Sequence, residues 1–170
     1  MNLSEALKKE HSKAQTLRIG KYIGNDRQRF SEIVNLVRSN DPMIAQRAAW
    51  VMGTHGENHP QLFLGHLSNL IPLLSRPVHD AVKRNILRVF QYVDIPVKHE
   101  AALVSHCFDL LLEANAAPAI KAFSITVIVN LSKKYPDLLQ ELNAWFQQNR
   151  SVASKAECKR IEKAGLLNKN

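Results

Sequence analysis

The residues best equipped for chemistry are seven histidines, two cysteines and a spaced set of arginines. His55-Gly56-Glu57-Asn58-His59 places two histidines four apart, and on a helix they would share a face and could hold zinc. The glutamate is misplaced for the metalloprotease motif, and Gly56 and Pro60 predict a loop, so no metal is expected. His106 and Cys107 are adjacent rather than ligand-spaced, which suits a buried apolar thiol better than a metal site. No phosphate loop, nucleophile elbow or dinucleotide fingerprint is present. The carboxylates Asp80 and Asp94 fall at opposite ends of one predicted helix. The expectation is a non-catalytic chain with no cofactor.

Arg84, Arg88 and Gln91 are spaced four and three apart, on the helix face opposite Val82, Ile86, Val89 and Phe90. A shift of 38 residues converts them to Gln46, Trp50 and Gly53. Gln46, Arg47, Trp50, Arg84, Arg88 and Gln91 therefore form the candidate binding patch. Aromatic rings beside guanidiniums bind bases, phosphates or acidic peptides. The competing reading makes Trp50 an inter-repeat core residue and the arginines ties to neighbouring loops, with Arg47 paired to Asp41.

These residues need helices to position them, and one stretch sets the pattern. Asp41 can cap a helix, Pro42 fits the first helical position, and Ile44, Ala48, Val51 and Met52 share a face. Ala48 and Ala49 permit close helix approach, and Gly53 is expected to stop the helix. At a period of 38, Ile44 becomes Val82 and Ile120, Ala48 becomes Ile86 and Ser124, and Met52 becomes Phe90 and Ile128. An apolar helix precedes each copy. A two-helix unit that recurs cannot bury its apolar face alone; stacking the units makes a continuous core.

Ile44, Ala48, Ala49, Met52 and Gly53, with Val82-Lys83 and Ile120-Lys121, resemble HEAT and armadillo-type repeats over roughly residues 27–134. The strings Gln46-Arg47-Ala48-Ala49-Trp50, Asp80-Ala81-Val82-Lys83-Arg84-Asn85 and Phe123-Ser124-Ile125-Thr126-Val127 resemble a small group of bacterial HEAT-like proteins, some labelled adenylosuccinate lyase. That label has no support here, because the lyase's Ser-Ser-x-Met-Pro-x-Lys-x-Asn loop is missing. The resemblance implies an all-α, right-handed α-α superhelix of about four to five hairpins, with the second helices on its concave face. It implies a scaffold for a protein or peptide partner. The alternative is a nucleic-acid binder or a HEAT-like DNA-repair glycosylase; no motif here matches that enzyme's catalytic residues. A lyase or isomerase subunit like the phycobilisome HEAT-like proteins rests on repeat similarity alone.

At 170 residues and 45% hydrophobic content, one helical domain is expected: 1–24 an N-terminal cap, 27–134 the core repeats, 136–167 a C-terminal cap hairpin. Two short helices or one bent helix are expected over 3–24, and about nine helices in all. Pro60 is expected to start a long helix to Ser75, kinked at Pro72, and Pro77 to introduce the next helix, ending near Tyr92. The N-terminus does not read as a signal peptide and no run reaches membrane-spanning length, so a cytoplasmic protein without membrane contact is expected, its two cysteines reduced. Formal net charge is +8, and residues 1–29 hold seven Lys/Arg against three Asp/Glu. Such a surface attracts nucleic acid or any acidic partner. Nothing in the sequence sets the oligomeric state.

Overall fold

The computed structural model describes residues 1–166; residue 167, the expected end of the C-terminal hairpin, lies outside them. Among the described residues there are ten α-helices, two 3₁₀ helices and no strand. The chain forms two compact units, the first running from Met1 to His99 and the second from Glu100 onward.

In the first unit, α1 (Leu3–Lys9) and α2 (Lys13–Ile23) begin at Asn2 and Ser12, whose side chains accept the amides of Glu5 and Gln15. Gly24, at φ 51°, ends α2 in a conformation that a Cβ would strain. Asp26 then caps α3 (Arg27–Val37), and Asp41 caps α4 (Pro42–Gly56) by accepting from Met43 and Ile44. The α4 helix is the hub, packing against α1, α2, α3 and α6 (Asp80–Phe90). Ile44, Ala48, Met52, Val82, Ile86 and Phe90 are all buried, as the repeat pattern predicts. Phe63 links the layers, its ring 4.9 Å from Phe30 and 6.4 Å from Phe90. Each such aromatic contact contributes about 0.5–1.5 kcal/mol beyond simple burial.

Three local expectations are corrected. Gly53 does not stop α4, which runs on to Gly56, so His55 is helical rather than in a loop. Gly53 is instead a close-packing point: a Cβ there would lie 2.8 Å from Cβ and Cγ of Asn85 on α6. The helix expected over 60–75 is broken into a 3₁₀ turn (Pro60–Phe63), the single-turn α5 (Leu67–Leu70) and a second 3₁₀ turn (Ile71–Leu74). Pro72 has no amide to donate, and its ring opposes a continuing α-ladder. The α6 helix starts at Asp80 rather than near Pro77, its first turn capped by His79 Nδ1, which accepts the Ala81 amide at 3.0 Å.

In the second unit, α7 (Val97–Leu112, its first three residues in the first unit), α8 (Pro118–Ser132), α9 (Asp137–Asn149) and α10 (Lys155–Lys163) follow the expected hairpin pattern. Ile120, Ser124 and Ile128 are buried on α8, which packs against α9 and α10. Trp145 is buried and donates Nε1–H to Leu111 O at 3.2 Å, fastening α9 to α7. Ser154 and Glu157 form a capping box at the start of α10, and Gly165, at φ 73°, follows its end. Glu100 accepts from Tyr135 Oη at 2.6 Å and from Lys134 Nζ at 3.0 Å. The Tyr135 hydrogen bond, then that of Lys134, hold its carboxyl below the usual range.

Two outcomes test this packing. Gly53→Ala gains helix propensity, yet the new methyl meets an atom anchored to the α6 backbone; it should destabilise by about 1–3 kcal/mol, read from the urea midpoint. Gly65→Ala, with nothing within 4 Å of its Cβ, should leave the midpoint unchanged. Cys107 is fully buried, and burial pushes its thiol up to about 12. It should stay unmodified by a small thiol reagent while the half-buried Cys158 reacts.

Candidate functional site

The six residues of the predicted patch meet different fates. Arg47 Nη1 donates to Leu7 O at 2.7 Å and Lys8 O at 3.1 Å, satisfying the last carbonyls of α1. It does not pair with Asp41, whose carboxylate is spent on capping α4. Arg88 makes a two-pronged bond to Glu57, Nε to Oε1 at 2.7 Å and Nη2 to Oε2 at 2.6 Å. Gln91 Nε2 donates to Arg88 O at 2.9 Å. Arg84 is exposed on α6 with no bond among the described residues. Gln46 and Trp50 are half-exposed on α4.

The helices meet in a register that the 38-residue period does not give. Gly53 packs on Asn85, and Glu57 bonds Arg88. These pairs are 32 and 31 residues apart, so α6 is displaced by about six residues, roughly 9 Å, from side-by-side alignment of equivalent positions. Arg88, equivalent to Trp50 in sequence, therefore lies level with the end of α4. Arg84 lies nearer the level of Gly53, one turn beyond Trp50.

What surrounds Trp50 was not anticipated. The His11 and Trp50 rings meet at right angles, centroids 5.1 Å apart. One turn along α4, Thr54 lines a surface cavity of about 350 Å³ with Leu17, Lys21, His55, Asn58 and His59. Leu17 is 52% exposed and Met43, two turns before Trp50, 39%. The outward face of α4 thus carries Met43 and Trp50 among Gln46, Arg47 and Thr54, and α2, packed on α4, exposes Leu17 among the cations Lys13, Arg18 and Lys21. The exposed Leu17 in the otherwise patchy α2 was the available signal. It is uninformative until α2 is known to lie on α4.

His55 and His59 stack at 4.3 Å, a geometry that does not aim two ring nitrogens at one ion. No group of three or more potential metal ligands occurs among the described residues. His55 Nε2 contacts Gly24 O at 2.8 Å, so Nε2 carries the proton. Burial holds the His55 pKa below its ordinary value; the Gly24 hydrogen bond opposes this and the charge of His59 adds to it. Elsewhere, His106 Nδ1 lies 3.9 Å from Asp109, apart from any reactive thiol. No helix among the described residues is long and apolar enough to cross a membrane.

Residues 3–162 match the family of HEAT repeat domains, and the chain belongs to it. Proteins of this family generally mediate protein interactions. No curated protein and no solved structure matches the chain.

The lowered His55 pKa has a signed consequence. The unfolded chain takes up the proton first on acidification, so the contribution is intact above about pH 6.5 and is lost as pH falls through and below that value. His66, lowered by burial, acts in the same direction. The melting temperature should fall between pH 7.5 and pH 5, and His55→Gln should flatten that slope without abolishing it.

Proposed function

We propose that this HEAT repeat protein is a non-catalytic scaffold whose α2–α4 face docks a protein or peptide partner. The observation that carries the reading is the exposed Leu17 and Met43 with the half-exposed Trp50, Leu17 lining a cavity, while the α4 residues behind Met43 and Trp50 are buried. Aromatic side chains and methionines concentrate at protein interfaces, and a half-buried Trp with one accessible edge serves as an anchor. The cations around Leu17 favour a partner with acidic flanks.

A nucleic-acid reading would use the arginines as phosphate clamps. Arg47 and Arg88 are already committed, one to carbonyls and one to a carboxylate, so two of the three guanidiniums of the patch are engaged internally. Arg84 alone remains for phosphate, and the protein partner is the better fit. Gln46, Trp50 and Arg84 are the patch residues assigned to docking. Arg47, Arg88 and Gln91 brace the helices that present them. The site of action follows as an aqueous compartment such as the cytoplasm.

Peptides selected from a random display library on the wild-type protein test this. Trp50→Ala and Leu17→Ser should each weaken the selected peptides at least tenfold, with helical circular dichroism and melting temperature retained. In a Trp145→Phe background, the remaining indole, Trp50, should shift its emission on binding. Peptides that bind both variants like wild type would place the partner elsewhere. Tighter binding of random duplex DNA than of any peptide, weakening steeply with salt, would favour the nucleic-acid reading.

A further inference from the structure

The loops joining the two helices of successive repeats, at 38–41 and 75–79, border a second cavity of the first unit, about 330 Å³ in volume. Val37, Ala45, Leu73 and Val78 supply apolar lining, and Arg38, Arg76 and His79 supply donors. Arg38 and Arg76 are one 38-residue period apart. Neither guanidinium has a hydrogen bond or ion pair among the described residues. Because His79 Nδ1 accepts the Ala81 amide, the neutral ring carries its proton on Nε2, a further donor. No carboxylate lines the cavity. The nearby Asp41 has Oδ1 held by the amides of Met43 and Ile44.

The second unit contains the internal comparison. Two periods on, residues 114–118 and 152–154 line a cavity of about 340 Å³, with Ala114 where Arg38 stands and Val152 where Arg76 stands. Stacked hairpins therefore leave this cavity whatever the side chains. The fold does not require two guanidiniums, so their convergence in the first unit calls for another cause.

We propose that the Arg38–Arg76–His79 cavity binds an organic carboxylate, presented by the partner as an acidic side chain or a chain end. Guanidinium forks match the planar carboxylate and hydrogen-bond it with charge assistance. Two unpaired cations at one cavity repel each other, and an anion between them relieves that repulsion. The apolar lining accommodates the carbon chain behind the carboxylate, which an inorganic oxyanion lacks. The choice of a protein as carrier rests on the docking function proposed above. Binding of the carboxylate itself does not, and Trp50→Ala should leave it intact.

The experiment is a titration of the full ¹⁵N-labelled chain with glutarate, and separately with inorganic phosphate, at constant ionic strength. Expected are saturable shifts of the Arg38 and Arg76 side-chain Nε–H signals and of backbone amides in both loops, with the 114–118 loop unmoved. Glutarate should bind more tightly than phosphate. Arg38→Gln and Arg76→Gln should each lower glutarate affinity at least tenfold, and Arg38→Lys, which keeps the charge without the fork, should lower it less. Shifts spread equally over Lys13, Lys21 and the loops would overturn the proposal, as would tighter phosphate binding. Glutamine variants that bind like wild type would overturn it too. The shifts are read on the wild-type chain, so a variant that failed to fold would not remove the test.

Discussion

Everything in the first unit depends on how closely other backbones can approach α4. The helix touches neighbours on most of its circumference, and the buried positions facing them include Ala45, Ala48, Ala49, Gly53 and Gly56. Two glycines inside a helix cost about 1 kcal/mol each relative to alanine. Here they admit Asn85 at Gly53, and Phe63 and Val89 at Gly56. The gain is packing that links α4 to α6 and to the broken segment after it. Having buried so much, α4 leaves one stripe to solvent, and that stripe holds Met43, Gln46, Arg47, Trp50 and Thr54. The docking face is thus what remains of a helix that serves as the core.

Electrostatics then sorts the stripe into working and bracing residues. Arg47 neutralises a helix end and Arg88 a carboxylate, and both bonds tie elements far apart in sequence. A guanidinium so engaged is stiff, and at Arg88 the Glu57 carboxylate also cancels its charge. The surplus positive charge resides in lysines and arginines that lack such partners, on α2 and in the loops between paired helices. Charge there is available to an acidic partner without breaking the fold.

The periodic core was legible from sequence because burial at Ile44, Val82 and Ile120 depends only on helical spacing, which a 38-residue shift preserves. Capping was legible for the same reason, since Asp41 acts within its own turn. The patch was less legible. The sequence period aligns Trp50 with Arg88, but contact depends on how far one helix slides along the next, and the slide is set by Gly53 and Asn85 meeting. A glycine read locally is a helix stop; read with its neighbour it is a contact point, and only the tertiary structure decides. His11 and Leu17 were hidden because they come from α2 and the turn before it, outside the clear repeats. Arg38 and Arg76 were one period apart in plain view, but a pair of loop arginines has no meaning until the loops are known to border one cavity.

The broken segment from Pro60 to Leu74 separates two properties that usually travel together. Its inward side chains are among the most buried in the protein: Phe63, Leu67 and Leu70 are fully enclosed. Its backbone has no long ladder, and several amides reach only the carbonyl three residues back, as in Leu62 to His59 and His66 to Phe63. Protection of amide hydrogens follows the ladder and its cooperativity, not the depth of the side chain. The centre of the core is therefore spanned by a chain whose peptide groups can open one turn at a time. Hydrogen exchange would show it as a soft seam between α4 and α6, held shut by leucine and phenylalanine rather than by secondary structure.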